Sequence, residues 1–174
     1  MSVAVLALLT SVALGGKHGG LGPPGHGPKF TLAKGAAPSG GRYRLWVRRF
    51  RRSDVCVGIG HRDARGRLSS GGSCGSGVPR RAVFAPTLAE GGPCALYVGG
   101  VAASKVKKVL LRLGDGSILE ARIIPAPQRL RRRGRRFFLQ VIEGAGELVL
   151  LRVRALDREG RTLAVHNHPF TASC

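Results

Sequence analysis

The feature that most constrains the fold of this chain is a period-two alternation of side chains in its second half. In residues 149–155 every odd-numbered position is apolar, while Arg152 and Arg154 occupy even-numbered positions. Residues 118–124 repeat the pattern, with two charged side chains set between apolar ones. Because successive side chains of a strand point to opposite faces of a sheet, this alternation predicts half-buried β-strands.

Turn signals flank the alternating segments. The sequence Gly-Asp-Gly at 114–116 precedes residues 118–124, and Asp-Arg-Glu-Gly at 157–160 follows residues 149–155. Glycine tolerates the positive φ of tight hairpin turns. Further strands are predicted at 42–50, 55–59, 82–85, 95–101 and 137–142. Residues 105–113 fit a short helix or a strand, and the Asp-Gly turn that follows favours the strand. The chain is thus predicted to be all-β, an antiparallel sandwich of about seven to eight strands.

The first 41 residues have a different composition from the rest. Residues 3–14 form an apolar run that is short for a membrane span and suits a secretory signal, although no Lys or Arg precedes it. A buried strand is the alternative. The Gly/Pro/His-rich stretch that follows is typical of a flexible linker. We expect a signal peptide or N-terminal anchor at 1–16, a linker at 17–41 and a β-sandwich domain at 42–174.

Four cysteines give an even set that fits two disulfides in a secreted or envelope-associated protein. The candidates are Cys56, Cys74, Cys94 and Cys174. A bridge from Cys56 to Cys74 is preferred, because a turn and a Gly/Ser loop between them let the chain fold back. Zinc is an alternative, although no Cys-x-x-Cys pair is present. Free thiols are expected if the chain is not exported.

Arginine gives the strongest functional signal. The chain has 29 Lys and Arg against 9 Asp and Glu, a formal net charge of +20. Two clusters stand out as polyanion-binding candidates: Arg48, Arg49, Arg51 and Arg52 in the first, and Arg129, Arg131, Arg132, Arg133, Arg135 and Arg136 in the second. Guanidinium groups bind phosphate through paired hydrogen bonds. The second cluster is predicted to lie in a loop.

Aromatic side chains interleave with the first cluster and could stack on bases if they faced outward. Tyr43 and Trp46 fall on opposite faces of the predicted strand, so at least one of them is expected in the core. The arginines also fit a second interpretation, an ordinary basic surface. GC-rich codon usage raises Arg, Gly, Ala and Pro, and this chain has a single Asn.

Patterns that could carry catalysis or bind a metal are weak. Residues 71–75 match the nucleophile elbow G-x-S-x-G around Ser73, but the sequence after them does not predict the helix that this motif needs. His166 and His168 would share one face of a strand, yet acidic residues are scarce nearby. No Walker loop or dinucleotide fingerprint is present. We expect no catalytic residue, no metal and no cofactor.

Two segments carry a resemblance to a known kind of module. Residues 101–125 (VAASKVKKVLLRLGDGSILEARIIP) resemble a hairpin of the immunoglobulin-like β-sandwiches of exported bacterial proteins, and residues 148–163 (LVLLRVRALDREGRTL) resemble a closing hairpin. The overall layout is similar to that of uncharacterised secreted proteins of high-GC Gram-positive bacteria. The resemblance implies an immunoglobulin-like fold and export, and it assigns no catalytic residue.

These observations predict a non-catalytic, exported structural or interaction module of the cell envelope or extracellular space. The alternative is a polyanion-binding protein that uses the arginine clusters. Its partners would be nucleic acid, an anionic wall polymer or lipid headgroups, all attracted by the positive charge.

Overall fold

The computed structural model describes residues 28–37, 40–50, 54–74, 77–78, 80, 82–90, 95–131, 134–144, 146–167 and 169–172. Nearly all regular structure in these residues is β, so the predicted all-β, antiparallel class is confirmed. The predicted segment 1–16 lies outside them. No helix in the described part is long and apolar enough to cross a membrane.

Thirteen strands and one helical turn make up the described residues. In chain order they are β1 (Phe30–Ala36), β2 (Arg42–Phe50), β3 (Asp54–Arg62), β4 (Leu68–Cys74), β5 (Phe84–Glu90), β6 (Ala95–Ala103), β7 (Lys108–Leu113), β8 (Ile118–Glu120), β9 (Arg122–Pro125), α1 (Gln128–Arg131), β10 (Arg135–Glu143), β11 (Leu148–Leu156), β12 (Thr162–His166) and β13 (Phe170–Ala172).

The strands form three antiparallel sheets. Sheet A is a meander in the order β1-β2-β3-β4. Sheet B has the order β5-β6-β10-β9, and sheet C has the order β12-β11-β7-β8, with β13 also paired to β11. One apolar cluster joins sheet A to sheet B, and a second joins sheet B to sheet C. Sheet B is therefore the middle layer of the molecule.

Strand β6 lies at the centre of this middle layer. All nine of its residues are buried, and none carries a charge. On neighbouring β10, Phe137 packs into the cluster shared with sheet A, while Phe138 packs into the cluster shared with sheet C. This division follows from the alternation of side chains along a strand. The two clusters thus depend on opposite faces of the same pair of strands.

The sequence underestimated the number of strands and the extent of the sheets. Thirteen strands are present in the described residues, where seven or eight were predicted. Strand β1 lies inside the segment 17–41 predicted as linker, because Phe30 and Ala33 pack against the apolar cluster between sheets A and B. Strand β4 occupies the predicted Gly/Ser loop. A Cβ at its Gly71 would collide with the Leu88 carbonyl, so glycine lets β4 approach β5 closely.

Two further strand predictions were right in type and wrong in detail. The single strand predicted at 118–124 is divided at Ala121, with β8 paired to β7 in sheet C and β9 paired to β10 in sheet B. The segment 105–113 is a strand, as preferred, and it begins at Lys108. The chain therefore passes from one sheet to the next without a loop.

Two hairpin turns share the five-residue motif Asp-x-x-Gly-Arg. The carboxylate of Asp63 accepts hydrogen bonds from the backbone N–H of Arg67 at 2.8 Å and from its Nε at 2.7 Å. Asp157 accepts the same two bonds from Arg161 at the same distances. The glycine of each motif has a φ of 81° or 80°, a region that disfavours other residues. One turn closes a hairpin of sheet A and the other a hairpin of sheet C.

Candidate polyanion-binding surface

The preferred cysteine pair is bonded. Cys56 on β3 and Cys74 on β4 are register partners, and a disulfide joins them. Closing a loop of 18 residues contributes about 3 kcal/mol in the chain-entropy model. Cys94 and Cys174 lie outside the described residues. The disulfide therefore fixes the two strands of sheet A that stand farthest from β1.

The first arginine cluster lies along β2, where alternation sorts its side chains. Leu45 and Val47 are fully buried against sheet B, so the even-numbered side chains point away from the core. We call this outward surface the Trp46 face. Its members are Lys29, Lys34, Arg42, Arg44, Trp46, Arg48, Asp54, Cys56, Gly58, Gly60 and Arg62.

Trp46 lies flat on its neighbouring strand. Its register partner is Gly58, where a Cβ would collide with the indole ring. A Cβ at Gly60, the next outward position of β3, would meet nothing within 4 Å. The Lys29 ammonium stands over the indole at 4.6 Å from the ring centroid, a cation–π distance. The half-buried indole thus rests on glycine and already contacts a cation.

Cations stand opposite cations on the Trp46 face. Lys34 is the register partner of Arg44, and Arg42 is the register partner of Arg62. Like charges directly opposite each other on neighbouring strands are destabilising. Residues 28–74 contain eleven Lys and Arg but only two Asp. Asp63 is paired with Arg67 in its turn, and Asp54 lies in the outward row of β3. With six Lys and Arg against this acid, the face keeps a large excess of positive charge.

The structure brings the two arginine clusters together. Arg49 at the end of β2 donates a hydrogen bond from Nη2 to the backbone carbonyl of Arg129 at 3.3 Å, across 80 residues of sequence. Arg129 is exposed on α1, and its neighbour Leu130 is 1% exposed and anchors that turn in the core. Arg136 lines an open depression with Ile123 and Pro125. The two clusters therefore meet at the end of β2, whereas Arg136 is in phase with Phe138 and lies on the side of sheet B that faces sheet C.

The second cluster is not the loop that the sequence predicted. Its first residues form α1, and its last two lie on β10. Arg135 is only 5% exposed and donates a hydrogen bond from Nε to the Val78 carbonyl at 2.8 Å. Its role is therefore structural, and we no longer expect it to bind a polyanion. Arg51, Arg52, Arg132 and Arg133 lie outside the described residues, and only the backbone of Arg131 is described.

The inner face of sheet A holds a group of buried polar rings. Tyr43 and Trp46 lie on opposite faces, as predicted, and the ring centroid of Tyr43 is 5.7 Å from that of Tyr97. His61 is 2% exposed, with its ring 5.1 Å from Tyr97. Burial lowers the pKa of His61, against the opposing effects of Asp63 and Glu143. Burial also raises the pKa of Tyr97 to about 12, with further contributions from Glu143 and Tyr43.

The burial of His61 was not predicted from the sequence. The signal was its position two residues after Ile59, in phase with the buried side chains of β3. Within the described residues, neither His61 Nε2 nor the Tyr97 hydroxyl has a hydrogen-bond partner. These groups explain the inner packing of sheet A, and they lie away from the Trp46 face.

The weaker motifs occupy structural positions. Ser73 lies on β4, and its Oγ is 2.9 Å from the Thr87 Oγ1 of β5, so it links the edges of two sheets. His166 lies on β12, while His168 is outside the described residues. Among the described residues, no three His, Cys, Asp or Glu side chains are grouped so that they could hold a metal.

Comparison with known proteins identifies no relative. No protein-family model matches the chain, and neither a curated protein nor a solved structure shows significant similarity to it.

Proposed function

We propose that this chain is a non-catalytic binding module that holds linear polyanions on its Trp46 face. One observation supports the proposal above all others. Arg44 and Arg48 stand on either side of Trp46 in the outward row of β2, and glycines lie beside the ring. This combination provides cations for phosphate groups and an aromatic surface for bases or sugars. Base stacking of this kind contributes about 1–3 kcal/mol per base.

The contact between Arg49 and Arg129 supports a surface longer than one strand. It places the exposed Arg129 of α1 beside Arg49, the residue that follows Arg48 at the end of the outward row of β2. A linear polymer gains affinity from each phosphate that it brings to such a row, since each contact releases bound counterions. We therefore propose that the polymer runs along β2 and continues over α1.

We also propose that residues 84–172 form an immunoglobulin-like β-sandwich. The strand order supports this assignment: β5-β6-β10-β9 corresponds to the order A-B-E-D, and β12-β11-β7-β8 to G-F-C-C′. Sheet A would then be an added layer on the A-B-E-D sheet. Because a fold of this kind serves many functions, the binding proposal depends on the side chains of sheet A and not on the sandwich.

We further propose that the module is exported and associated with the cell envelope. The disulfide between Cys56 and Cys74 supports this location, since such bonds persist mainly in oxidising compartments. The intact mass of the protein from its native host tests the location. Loss of the first residues together with oxidised cysteines is expected, and a full-length chain with reduced cysteines would contradict it.

The binding proposal has a direct optical test, because Trp46 is the only tryptophan in the sequence. Titration with oligo(dT) is expected to quench its fluorescence in a saturable way, and the affinity should fall steeply with salt. Inorganic polyphosphate, which has no rings, should bind with less quenching. The double variant R44Q/R48Q should bind at least tenfold more weakly.

The matched control is R122Q/R158Q, which removes two exposed positive charges elsewhere. It should keep nearly all of the affinity. An equal loss in both double variants would mean that net charge alone attracts the polymer, and this result would overturn the proposed surface. Absence of any saturable binding would overturn it as well.

A further inference from the structure

A third group of arginines lies on the outward face of sheet C, on the other side of sheet B from the Trp46 face. Arg112 on β7 and Arg152 and Arg154 on β11 line a small cleft together with Leu110 and Ile118. None of these arginines belongs to the two clusters that the sequence singled out. The cleft has a volume of about 90 Å³.

The register of two strands places these side chains together. Arg152 is the partner of Arg112, and Arg154 is the partner of Leu110, so both arginines of β11 border the same part of β7. A shift in register between Leu150 and Arg152 sets this arrangement. Leu150 is buried, Leu151 is 38% exposed, and Arg152 also points outward. A bulge of this kind redirects side chains, and here it keeps Arg152 in the outward row.

This arrangement has an electrostatic cost that no ion pair among the described residues relieves. Two guanidinium groups directly opposite each other on paired strands are destabilising. The nearest acid by register is Glu120, the partner of Leu110, and its carboxylate lies 3.8 Å from the ammonium of Lys108. Within the described part of the chain, no carboxylate forms an ion pair with Arg112, Arg152 or Arg154. A bound anion would remove this repulsion.

The size and lining of the cleft narrow the choice of anion. One water needs about 10–15 Å³ of such a volume, so the cleft, which is open to solvent, admits several waters or one tetrahedral oxyanion group. Guanidinium groups offer paired N–H donors to such oxygens.

We propose that this cleft binds a single phosphate or sulfate group, held by Arg112 and Arg152 and completed by Arg154. The group is either a free inorganic ion or the terminal group of a larger molecule such as a phosphorylated lipid. The site is independent of the Trp46 face, because sheet B separates the two outer sheets.

The test follows the Nε–Hε resonances of the arginines by NMR while inorganic phosphate is added, with sodium chloride of equal ionic strength as the reference. The resonances of Arg112, Arg152 and Arg154 are expected to shift in a saturable way. The variant R112Q/R152Q should bind at least tenfold more weakly, while R122Q/R158Q should bind as the wild type does. R152K keeps the charge but loses the paired donors, so it should bind with intermediate affinity.

Folding of the variants is not expected to limit this test, because the side chains of Arg112 and Arg152 are exposed. The melting temperature of R112Q/R152Q should equal or exceed that of the wild type, since the variant relieves a like-charge pair. A second arm measures binding to vesicles with and without phosphatidic acid. Saturation by phosphate alone supports a free-ion site. Tighter binding to the phosphatidic acid vesicles supports the site and assigns it to a lipid headgroup.

Shifts that follow ionic strength alone, or an equal loss of affinity in R122Q/R158Q, would overturn the proposal. Fluorescence of Trp46 keeps this result separate from the binding of polyanions. R112Q/R152Q should leave quenching by oligo(dT) unchanged, so the failure of one site can be recognised while the other is measured.

Discussion

Sheets A and C are the two outer layers of the molecule, and they present different chemistry on similar scaffolds. Each has a hairpin closed by the same Asp-x-x-Gly-Arg turn, and each covers one face of sheet B. Sheet A displays a row of cations around an indole on glycine. Sheet C displays three arginines that line a small cleft beside two aliphatic side chains. The arrangement of the arginines, in a row on sheet A and around a cleft on sheet C, therefore distinguishes two basic surfaces of one protein.

Truncation of either buried phenylalanine of β10 is expected to destabilise the protein more than any other substitution discussed below. Phe137→Ala and Phe138→Ala should each lower the free energy of unfolding by about 3–5 kcal/mol, because each removes a fully buried ring. Hydrogen exchange should show which sheet loosens. Phe137→Ala should expose amides of β2 and β3 first, while Phe138→Ala should expose amides of β7 and β11 first. The reverse pattern would contradict the assignment of the rings to their cores.

The disulfide distinguishes the two outer sheets, since it joins two strands of sheet A and has no equivalent among the described residues of sheet C. Replacing both partners, as in C56S/C74S, should lower the free energy of unfolding by about 3 kcal/mol through the unfolded chain. Urea unfolding measures the loss, and hydrogen exchange should place it mainly in β3 and β4. A loss of protection centred on β7 and β11 would show that the bond acts elsewhere.

A dependence on pH is expected from the inner face of sheet A. The pKa of His61 is lowered in the folded protein, so the unfolded chain takes up a proton first as the pH falls below 6.5. The free energy of unfolding should therefore fall between pH 7 and pH 5. In His61→Gln this slope should be much reduced. Carboxylates with lowered pKa, such as Asp115, lose their contribution only as the pH falls below about 4. An unchanged slope in the variant would assign the titration to another group.

The two Asp-x-x-Gly-Arg turns are expected to show the smallest difference in stability between sheets A and C. Asp157→Ala should lower the melting temperature by several degrees, and Asp63→Ala should lower it less. Both carboxylates accept backbone hydrogen bonds from their turns, but Asp157 is buried and Asp63 is only half-buried. Burial would raise the pKa of Asp157, but the hydrogen bonds from Arg161 lower it. Equal losses in calorimetry would mean that the deeper burial of Asp157 contributes nothing.

The alternation of apolar and polar side chains predicted the strands that have one wet face. Residues 42–50 and 149–155 are strands because their buried and exposed positions alternate, and the period can be read directly. Even there, the register shift after Leu150 placed Leu150 in the core and Leu151 outside, against the simple alternation. A bulge depends on the partner strand, which the local sequence does not contain.

Strands without alternation were harder to predict. Strand β4, with the sequence LSSGGSC, has the composition of a loop. It forms a strand because it pairs with β3 along its whole length, and its Gly71 lets it lie close to β5. Arg135 resembles its neighbours in sequence, yet it is buried because the Val78 carbonyl lies within reach. The contact between Arg49 and Arg129 spans 80 residues, so no local pattern could have predicted it.

The burial of β6 has a consequence for how the chain must be handled in solution. Nine consecutive residues without a charge, ALYVGGVAA, pair with β5 on one edge and β10 on the other, and sheets A and C cover their two faces. Uncovered, such a segment is a template for cross-β assembly between molecules. Sheets A and C therefore protect β6 from pairing between molecules. We expect refolding to succeed only when β6 becomes buried within its own chain faster than two unfolded chains associate.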